Sequence, residues 1–328
     1  MKEFPKVKVA LVFGSLGQDG WLLSKYLIAR GYNVIGTTRR SPSSVVPISS
    51  DNFELVQLNP EDFGEVLDCI ETFCPNEIYN LTGQSSVGQS FARPVSTFDS
   101  FARVTLNIFE ALLTAKKYSC RVYTAGSSEV YGDTAHIIGG ALEESAHMPT
   151  SPYGIAKSTA MKLTEYYRKN FSLYAVNGIL FNHESNRRGP DYVTSKIINS
   201  AYHAKYSGLK SVKFGNLEIY RDWGWAEEYV EAMNLMLGRD QPDDFIICTG
   251  KTISLQKFMK LAFEFHDLDW RNFVTTSSDY NRKNDIIHSS GNPGKAEREL
   301  NWIAKQQVEQ VIENMSKYRL TSNKDISK

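Results

Sequence analysis

Apolar runs separated by polar breaks predict an alternation of strands and helices along the first half of the chain. Residues 7–13 are apolar apart from Lys8, as expected of a strand buried on both faces of a parallel sheet. A glycine-rich turn follows, and apolar positions then recur with helical spacing as far as Gly31, a candidate helix C-cap. The same patterns predict strands over residues 33–37, 53–58, 77–81, 121–125 and 174–181, and helices over residues 63–73, 96–115 and 151–168.

This alternation predicts an α/β fold, a doubly wound parallel sheet of the Rossmann type with helices on both faces. After residue 181 the pattern loosens into helices near residues 192–206, 226–237, 254–265 and 305–318. We therefore expect residues 1–175 to form a dinucleotide-binding domain, to which segments near 215–250 return. Residues 176–328 are expected to form mainly a smaller α/β substrate-binding domain.

The glycine-rich turn is the first candidate for binding chemistry. Gly14, Gly17 and Gly20 give the pattern G-x-x-G-x-x-G between the first strand and the first helix. Glycines let the backbone approach a pyrophosphate closely, and the amino end of the helix offers free N–H groups and partial positive charge. The turn therefore predicts dinucleotide binding.

The end of the second predicted strand bears on which dinucleotide binds. Arg39, Arg40 and Ser41 stand where an NAD enzyme carries an acidic residue for the ribose 2'-hydroxyl. Two guanidinium groups favour a 2'-phosphate instead, so NADP is the predicted cofactor. An exposed basic turn without a ligand is the alternative.

A second candidate site combines residues that follow the strand at 121–125 with a helical pair. Tyr153 and Lys157 lie four residues apart, so their side chains share one helix face. A lysine ammonium beside a phenol favours the phenolate, which predicts that Tyr153 acts as a base. Ser127 and Glu129 would join them at the carboxyl end of the strand, where open α/β sheets bind ligands. A solvated helix face is the alternative for the pair.

Composition narrows the classes of partner. The 328 residues are 41% hydrophobic, and 37 basic residues balance 37 acidic ones, so nothing predicts binding to nucleic acid or to an anionic membrane. The four cysteines lack metal-ligand spacing and are predicted to be reduced core residues, with no metal site. No apolar run approaches the roughly eighteen residues of a membrane span. We expect a cytoplasmic protein.

Longer segments carry a family resemblance that covers about residues 8–318. They are G-Q-D-G at 17–20, R-R-S at 39–41, E-I-Y-N-L-T-G-Q-S-S-V at 77–87, S-S-E-V-Y-G at 127–132, N-G-I-L-F-N-H-E-S at 177–185 and R-D-W-G-W-A-E-E-Y-V at 221–230. In these segments the chain resembles the extended short-chain dehydrogenase/reductases, and within them the GDP-mannose 4,6-dehydratases.

The resemblance implies roles for individual residues. The implied catalytic residues are Ser127, Glu129, Tyr153 and Lys157. The implied NADP-binding residues are Gly14, Gly17, Gln18, Asp19, Gly20, Arg39, Arg40, Asn59, Leu81, Tyr153, Lys157 and His183. The implied contacts to a GDP-sugar are Ser85, Asn182, Val193, Lys196, Arg221, Arg282 and Asp285.

The resemblance also implies a reaction. Tyr153 would take the proton of the sugar 4-hydroxyl while hydride leaves C4 for NADP, and Glu129, assisted by Ser127, would take the C5 proton and promote loss of the 6-hydroxyl as water. Hydride then returns to C6, which gives a GDP-4-keto-6-deoxy sugar, a hexose or a heptose, in a net lyase reaction. An NADP-dependent reductase or epimerase of the same fold is one alternative, and a non-catalytic NADP-binding regulator is another.

Departures from the family pattern concern the substrate and the assembly. Ser127 replaces a more usual threonine, and other departures lie at Thr82, Gly83, Ser86, Pro190 and Ser195. The loop after Arg40 lacks the S-F-N-T run that contributes to a tetramer in the family. The helices predicted at 96–115 and 151–168 are apolar on more than one face, which indicates a homodimer, or a homotetramer, as the assembly.

Overall fold

The computed structural model describes residues 7–45, 48–280 and 284–322. Its largest sheet has seven strands in the order β10-β6-β5-β4-β1-β2-β3, and the neighbours from β6 to β3 run parallel. The strands are β1 Val9–Phe13, β2 Asn33–Thr38, β3 Phe53–Gln57, β4 Glu77–Asn80, β5 Arg121–Ala125, β6 Ala175–Leu180, β7 Asn182–Glu184, β8 Val212–Phe214, β9 Tyr220–Trp225, β10 Phe245–Ile247, β11 Thr252–Ser254 and β12 Val274–Thr276. The predicted doubly wound α/β fold class is confirmed.

Helices connect these strands. They are α1 Gln18–Ile28, α2 Phe63–Phe73, α3 Val87–Ala92, α4 Pro94–Phe98, α5 Val104–Thr114, α6 Pro152–Phe171, α7 Val193–Tyr206, α8 Ala226–Leu237, α9 Leu255–Glu264, α10 Gly294–Leu300 and α11 Val308–Ser322. The bounds of α2 and α6 lie close to the predicted ones. Among the residues that the structure describes, none of these helices is long and apolar enough to cross a membrane.

The chain packs into two compact units. The first comprises the described parts of residues 1–130, 151–180 and 230–245, and the second comprises residues 131–150, 181–229 and the described parts of 246–328. The first unit therefore leaves out residues 131–150, which the sequence assigns to the dinucleotide-binding domain. It takes in residues 230–245, part of the region expected to return to that domain.

The core of the first unit explains its continuous apolar strands. Leu11 and Phe13 of β1 are fully buried and pack with Ile78 of β4, and helices α2 and α5 cover them with Ile70 and Ile108. A strand with both faces covered has no solvent side, so its sequence does not alternate.

The predicted helix over residues 96–115 is not a single α-helix, and this prediction needs correction. Helix α4 begins at Pro94, a π-helical turn occupies Asp99–Arg103, and α5 continues from Val104. The hydroxyl of Thr105 donates to the carbonyl of Phe101 and so supplies that carbonyl with a side-chain partner. Such side-chain hydrogen bonds compete with the regular helix ladder and often bend a helix.

The second unit contains the sheets β11-β9-β7 and β12-β8, packed on α7, α9 and α11. Trp223 and Trp225 are 2% and 4% exposed and pack in its core. Asp222, which precedes Trp223, is fully buried and accepts hydrogen bonds from the N–H groups of Thr249 and Lys251. Burial raises the pKa of this carboxyl to about 6.

One cysteine departs from the expected core placement. Cys69, Cys120 and Cys248 are buried free thiols, but Cys74 is exposed. It is the C-cap of α2 and adopts a left-handed conformation with φ of 45°, which places it on the surface at the turn toward β4.

Candidate active site

The glycine turn between β1 and α1 brings three backbone segments into close approach. Gly14 has φ of +80°, and a Cβ there would lie 2.6 Å from the carbonyl oxygen of Leu81. A Cβ at Gly20 would lie 2.2 Å from the carbonyl oxygen of Gly14. Gly17 is the N-cap of α1 and forms no side-chain cap hydrogen bond. The turn therefore requires glycine and leaves the amino end of α1 without a covering side chain.

A cavity of about 410 Å³ opens beside this turn. Its walls are the glycine turn, the ends of β2 and β4, the loop after β3 and the π-helical turn. The lining residues are Gly14, Leu16, Gly17, Thr37, Thr38, Arg39, Arg40, Leu58, Pro60, Glu61, Leu81, Thr82, Gly83, Gln84, Ser100 and Val104. This combination of close-approach glycines, an open helix amino end and two guanidinium groups fits a dinucleotide.

The two arginines lie at the rim of this cavity. Both are exposed, and the guanidinium of Arg39 lies 3.6 Å from the carboxylate of Glu61. The backbone N–H of Arg40 donates to the hydroxyl of Thr38, which fixes the start of the loop after β2. An acidic residue is thus present at the rim, but it follows β3 rather than β2.

Other predicted cofactor residues occupy the same region. Leu81 lines the cavity, and its N–H donates to the carbonyl of Phe13. The side-chain amide of Gln18 donates to the carboxylate of Asp19 over 2.9 Å at the first turn of α1. The side-chain carbonyl of Asn59 accepts a hydrogen bond from the N–H of Glu61, so it stabilises the loop that contributes to the rim.

Helix α6 positions the predicted base and its lysine. Ser151 caps the helix by accepting from the N–H of Gly154, so Tyr153 and Lys157 lie on one face in the first two turns. Their side chains are 7% and 6% exposed. The Lys157 ammonium donates to the carbonyl of Ala125 over 2.7 Å and lies 5.9 Å from the centre of the Tyr153 ring. Burial lowers the pKa of Lys157 from 10.5 to about 7, and the charge of Asp19 opposes this.

Ser127 and Glu129 follow directly on β5. A single helical turn, Ser128–Tyr131, begins there, and the hydroxyl of Ser127 accepts from the N–H of Glu129 over 3.3 Å. Ser127 is buried and Glu129 is half-buried. Lys157 donates a hydrogen bond to the carbonyl of Ala125 at the end of β5, and Tyr153 lies one helix turn before Lys157. All four predicted catalytic residues therefore lie around the carboxyl end of this strand.

Sequence reasoning missed Phe101, which contacts both residues of the pair on α6. Its ring centre lies 4.1 Å from the Lys157 nitrogen, and its ring meets that of Tyr153 edge to face at 5.3 Å. An aromatic residue within a helical pattern is normally a core residue, so only the tertiary packing identifies this contact.

The predicted substrate contacts are divided between the two units. Ser85 is exposed in the first unit, just before α3. Asn182 is exposed at the start of β7, and Val193 is the first residue of α7, both in the second unit. Arg282 lies outside the described residues.

The charged candidates of the second unit already have protein partners. Lys196 donates to the carbonyl of Lys213 and lies over the rings of Phe214 and Tyr280, at 4.4 and 4.8 Å. Burial lowers its pKa. The Arg221 guanidinium lies 3.4 Å from the Asp285 carboxylate, and both side chains are largely buried.

His183, a predicted cofactor contact, is packed within the second unit. Its Nδ1 lies 2.7 Å from the carbonyl oxygen of Phe181, and its ring stacks on Tyr229 at 4.6 Å. The neighbouring Glu184 is buried, and its carboxylate accepts from Arg188 and from the Thr194 hydroxyl. Glu184 and Arg188 therefore form a largely buried ion pair.

Solved structures place this architecture in a known class. The fold matches UDP-glucose 4-epimerase from Thermotoga maritima with a TM-score of 0.85 at 21% identity, over 96% of this chain and 99% of that one. It matches the dTDP-glucose 4,6-dehydratase DesIV from Streptomyces venezuelae, solved with NAD bound, with a TM-score of 0.85 at 18% identity, over 96% and 98% of the two chains. The fold is that of the Rossmann-type epimerases and dehydratases.

Sequence comparison identifies the family within this class. The sequence model of the family described as GDP-mannose 4,6 dehydratase matches residues 11–315 of this chain. Relatives with this name include proteins of Caenorhabditis elegans, 37% identical over 96% of this chain and 90% of that protein, and of Homo sapiens, 35% identical over 94% and 90%. The chain belongs to the GDP-mannose 4,6-dehydratase family. The predicted family is thereby confirmed, and with it the predicted class of activity, a lyase that dehydrates a nucleotide sugar.

Proposed function

We propose that this chain converts a GDP-mannose-like GDP-sugar, a hexose or a heptose, into its 4-keto-6-deoxy derivative with NADP as the cofactor. The observation that carries the proposal is the grouping of Ser127, Glu129, Tyr153 and Lys157 around the end of β5, in the unit that also holds the dinucleotide cavity. A reductase needs only the tyrosine and the lysine; elimination of water needs a further base.

Tyr153 is the base for the first step in this proposal. Its phenolate, which the Lys157 ammonium stabilises, takes the proton of the sugar 4-hydroxyl and becomes the neutral phenol. The Lys157 ammonium donates a hydrogen bond to the carbonyl of Ala125, and burial removes most of the water that would otherwise solvate its charge. A phenolate beside it in turn favours the protonated lysine, so the two titrations are coupled.

Glu129 is the base for the second step. Its carboxylate takes the C5 proton, which a ketone at C4 has made acidic, and then supplies a proton as the 6-hydroxyl leaves as water. Ser127 lies beside it and offers its hydroxyl as a hydrogen-bond donor to the reacting sugar. A bound nicotinamide dinucleotide would supply the redox chemistry, acceptance of a hydride and its return. The cofactor is therefore not consumed.

The choice of sugar is tested by product mass. Purified protein is incubated with NADP and a panel of GDP-hexoses and GDP-heptoses, and the products are analysed by mass spectrometry. The expected product is lighter than its substrate by one water, without net consumption of NADPH. The reductase or epimerase alternative predicts no loss of water, and a reductase would consume NADPH stoichiometrically.

The preference for NADP rests on Arg39 and Arg40 at the rim of the cavity. A 2'-phosphate would compete with Glu61 for Arg39, and loss of a charged contact of this kind costs on the order of 1.5 to 3 kcal/mol, roughly a ten- to hundredfold loss in affinity. The double variant Arg39→Ala/Arg40→Ala should therefore lose that factor in NADP affinity and leave NAD affinity nearly unchanged. Calorimetry measures both, with Arg30→Ala as a control. Equal dissociation constants of the native protein for NADP and NAD would contradict the proposal.

A further inference from the structure

The ring of Phe101 covers the buried lysine of the candidate active site. Phe101 is 3% exposed, its ring centre lies 4.1 Å from the Lys157 nitrogen, and its edge-on contact with Tyr153 is close to perpendicular at 88°. Phe101 and Tyr153 share a small apolar cluster with Ala156 and Ala160. One aromatic side chain thus touches both members of the tyrosine–lysine pair.

Gly83 makes room for this ring. It has φ of +101°, and a Cβ at this position would lie 2.2 Å from Cε1 and 2.5 Å from Cζ of Phe101. The neighbouring backbone is therefore compatible with a phenyl ring at 101 only when residue 83 is glycine. This gives a physical reason for Gly83, one of the departures from the family pattern.

Hydrogen bonds from the end of β4 fix the segment that carries Phe101. The hydroxyl of Thr82, another departure, lies 3.1 Å from the carbonyl oxygen of Ser100. The amide of Asn80 donates to the Thr105 hydroxyl, which donates to the carbonyl of Phe101. The π-helical turn Asp99–Arg103 is thus linked to the end of β4 at two consecutive carbonyls, those of Ser100 and Phe101, and π-helical turns occur frequently at functional sites.

We propose that Phe101 is a positioning residue for the reaction, whose ring face holds the Lys157 ammonium beside Tyr153 by a cation–π contact. The inference rests on the proposed function. A desolvated ammonium lacks water around most of its surface, and the negative face of an aromatic ring replaces part of that solvation. The carbonyl of Ala125 supports the cation from another side.

The charge state of Lys157 makes this contact measurable. Burial lowers the pKa of Lys157, and the charged group that opposes burial is Asp19 on α1, while Tyr153 is the titratable neighbour on α6. A ring face that attracts the cation raises the pKa of Lys157, as the charge of Asp19 does. Removal of the ring's electrostatic attraction without loss of its volume should therefore let Lys157 lose its proton at a lower pH.

The experiment follows the titration of Lys157 by NMR in full-length protein with lysine isotopically labelled at Cε, without added substrate. The signal is assigned by its loss in Lys157→Met. Phe101→pentafluorophenylalanine keeps the ring's shape and reverses its electrostatic face, and Phe101→Leu removes the face. We expect the midpoint to fall by about one pH unit in both. Phe109→Leu, the same change at a buried phenylalanine of α5 in a different cluster, should leave the midpoint unchanged.

A midpoint that is unmoved or raised in the fluorinated protein overturns the proposal. The fluorinated ring differs little in size from the native one, so the result does not depend on whether Phe101→Leu folds. Because the titration requires no turnover, it separates this inference from the proposed function. A dehydratase with an unmoved midpoint rejects the role of Phe101 alone, whereas a shifted midpoint in a protein that dehydrates no GDP-sugar rejects the proposed reaction alone.

Discussion

Among single residues, Lys157 serves the proposed reaction, but burial of its ammonium lowers the stability of the folded protein. Its folded-state pKa of about 7 lies below the ordinary 10.5, so between these values the unfolded chain keeps a proton that the folded protein gives up. The folded protein is therefore destabilised most below pH 7, and the penalty disappears as the pH rises toward the unfolded-state pKa.

The variant Lys157→Met should raise the free energy of unfolding near pH 6 by on the order of 2 kcal/mol, because it removes a buried cation and retains an apolar side chain of similar length. The gain should shrink as the pH approaches about 10, where the native lysine is neutral in the folded protein. Urea unfolding without cofactor measures the free energy of unfolding of the native protein and of Lys157→Met at each pH. A difference between the two free energies that does not change with pH would show that Lys157 does not titrate as its burial predicts.

The sequence predicted the residues whose chemistry is encoded locally and missed those that depend on packing. Tyr153 and Lys157 share one helix turn, and Ser127 and Glu129 follow one strand, so spacing alone brings each pair together. Phe101 approaches Lys157 across more than fifty residues of sequence. No local pattern distinguishes such an aromatic from an ordinary core residue.

At the scale of elements, long apolar segments were predictable and short ones were not. The bounds of α2 and β5 agree with the predicted ones, because continuous burial or amphipathic spacing defines them. The strands β7, β8, β11 and β12 have three residues each, which is too short for an alternation to be visible. The π-helical turn was missed because the hydroxyls of Thr82 and Thr105, which donate to its carbonyls, leave no trace in the apolar pattern.

Helices of the first unit also support a prediction about assembly. Exposed apolar side chains lie on α4, α5 and α6, and their exposed fractions are between 39% and 74%. They belong to Val95, Phe98, Leu106, Ile155 and Tyr166. Apolar residues in such number on neighbouring helices are typical of a subunit interface. We propose a two-fold homodimer that pairs these helices, with a homotetramer as the alternative.

Light scattering at micromolar concentration should give at least the dimer mass. The double variant Leu106→Lys/Ile155→Lys should shift the mass toward the monomer, since it buries two unpaired cations in the proposed interface. The matched change Ile303→Lys, at an exposed isoleucine of the second unit, should leave the mass unaltered. A monomeric native protein would refute the proposed dimer.

At the scale of the whole molecule, the first unit alone supplies the predicted catalytic residues and the dinucleotide cavity. The second unit supplies most of the predicted substrate contacts, among them Lys196 and the Arg221–Asp285 pair. The boundaries of the units depend on segments that are distant in sequence, residues 131–150 and 230–245. The sequence-based prediction included a return of segments near 215–250 to the first domain, but it did not separate residues 131–150 from that domain, because a short segment shows only its local pattern.

Single turnover of a GDP-sugar by Glu129→Gln tests the proposed division of labour between Tyr153 and Glu129. This variant should still oxidise C4, so NADPH absorbance and a 4-keto sugar should accumulate, while elimination slows by about a hundred- to ten-thousandfold. Tyr153→Phe, the matched control, should produce no absorbance. Normal formation of a dehydrated product by Glu129→Gln would contradict the account.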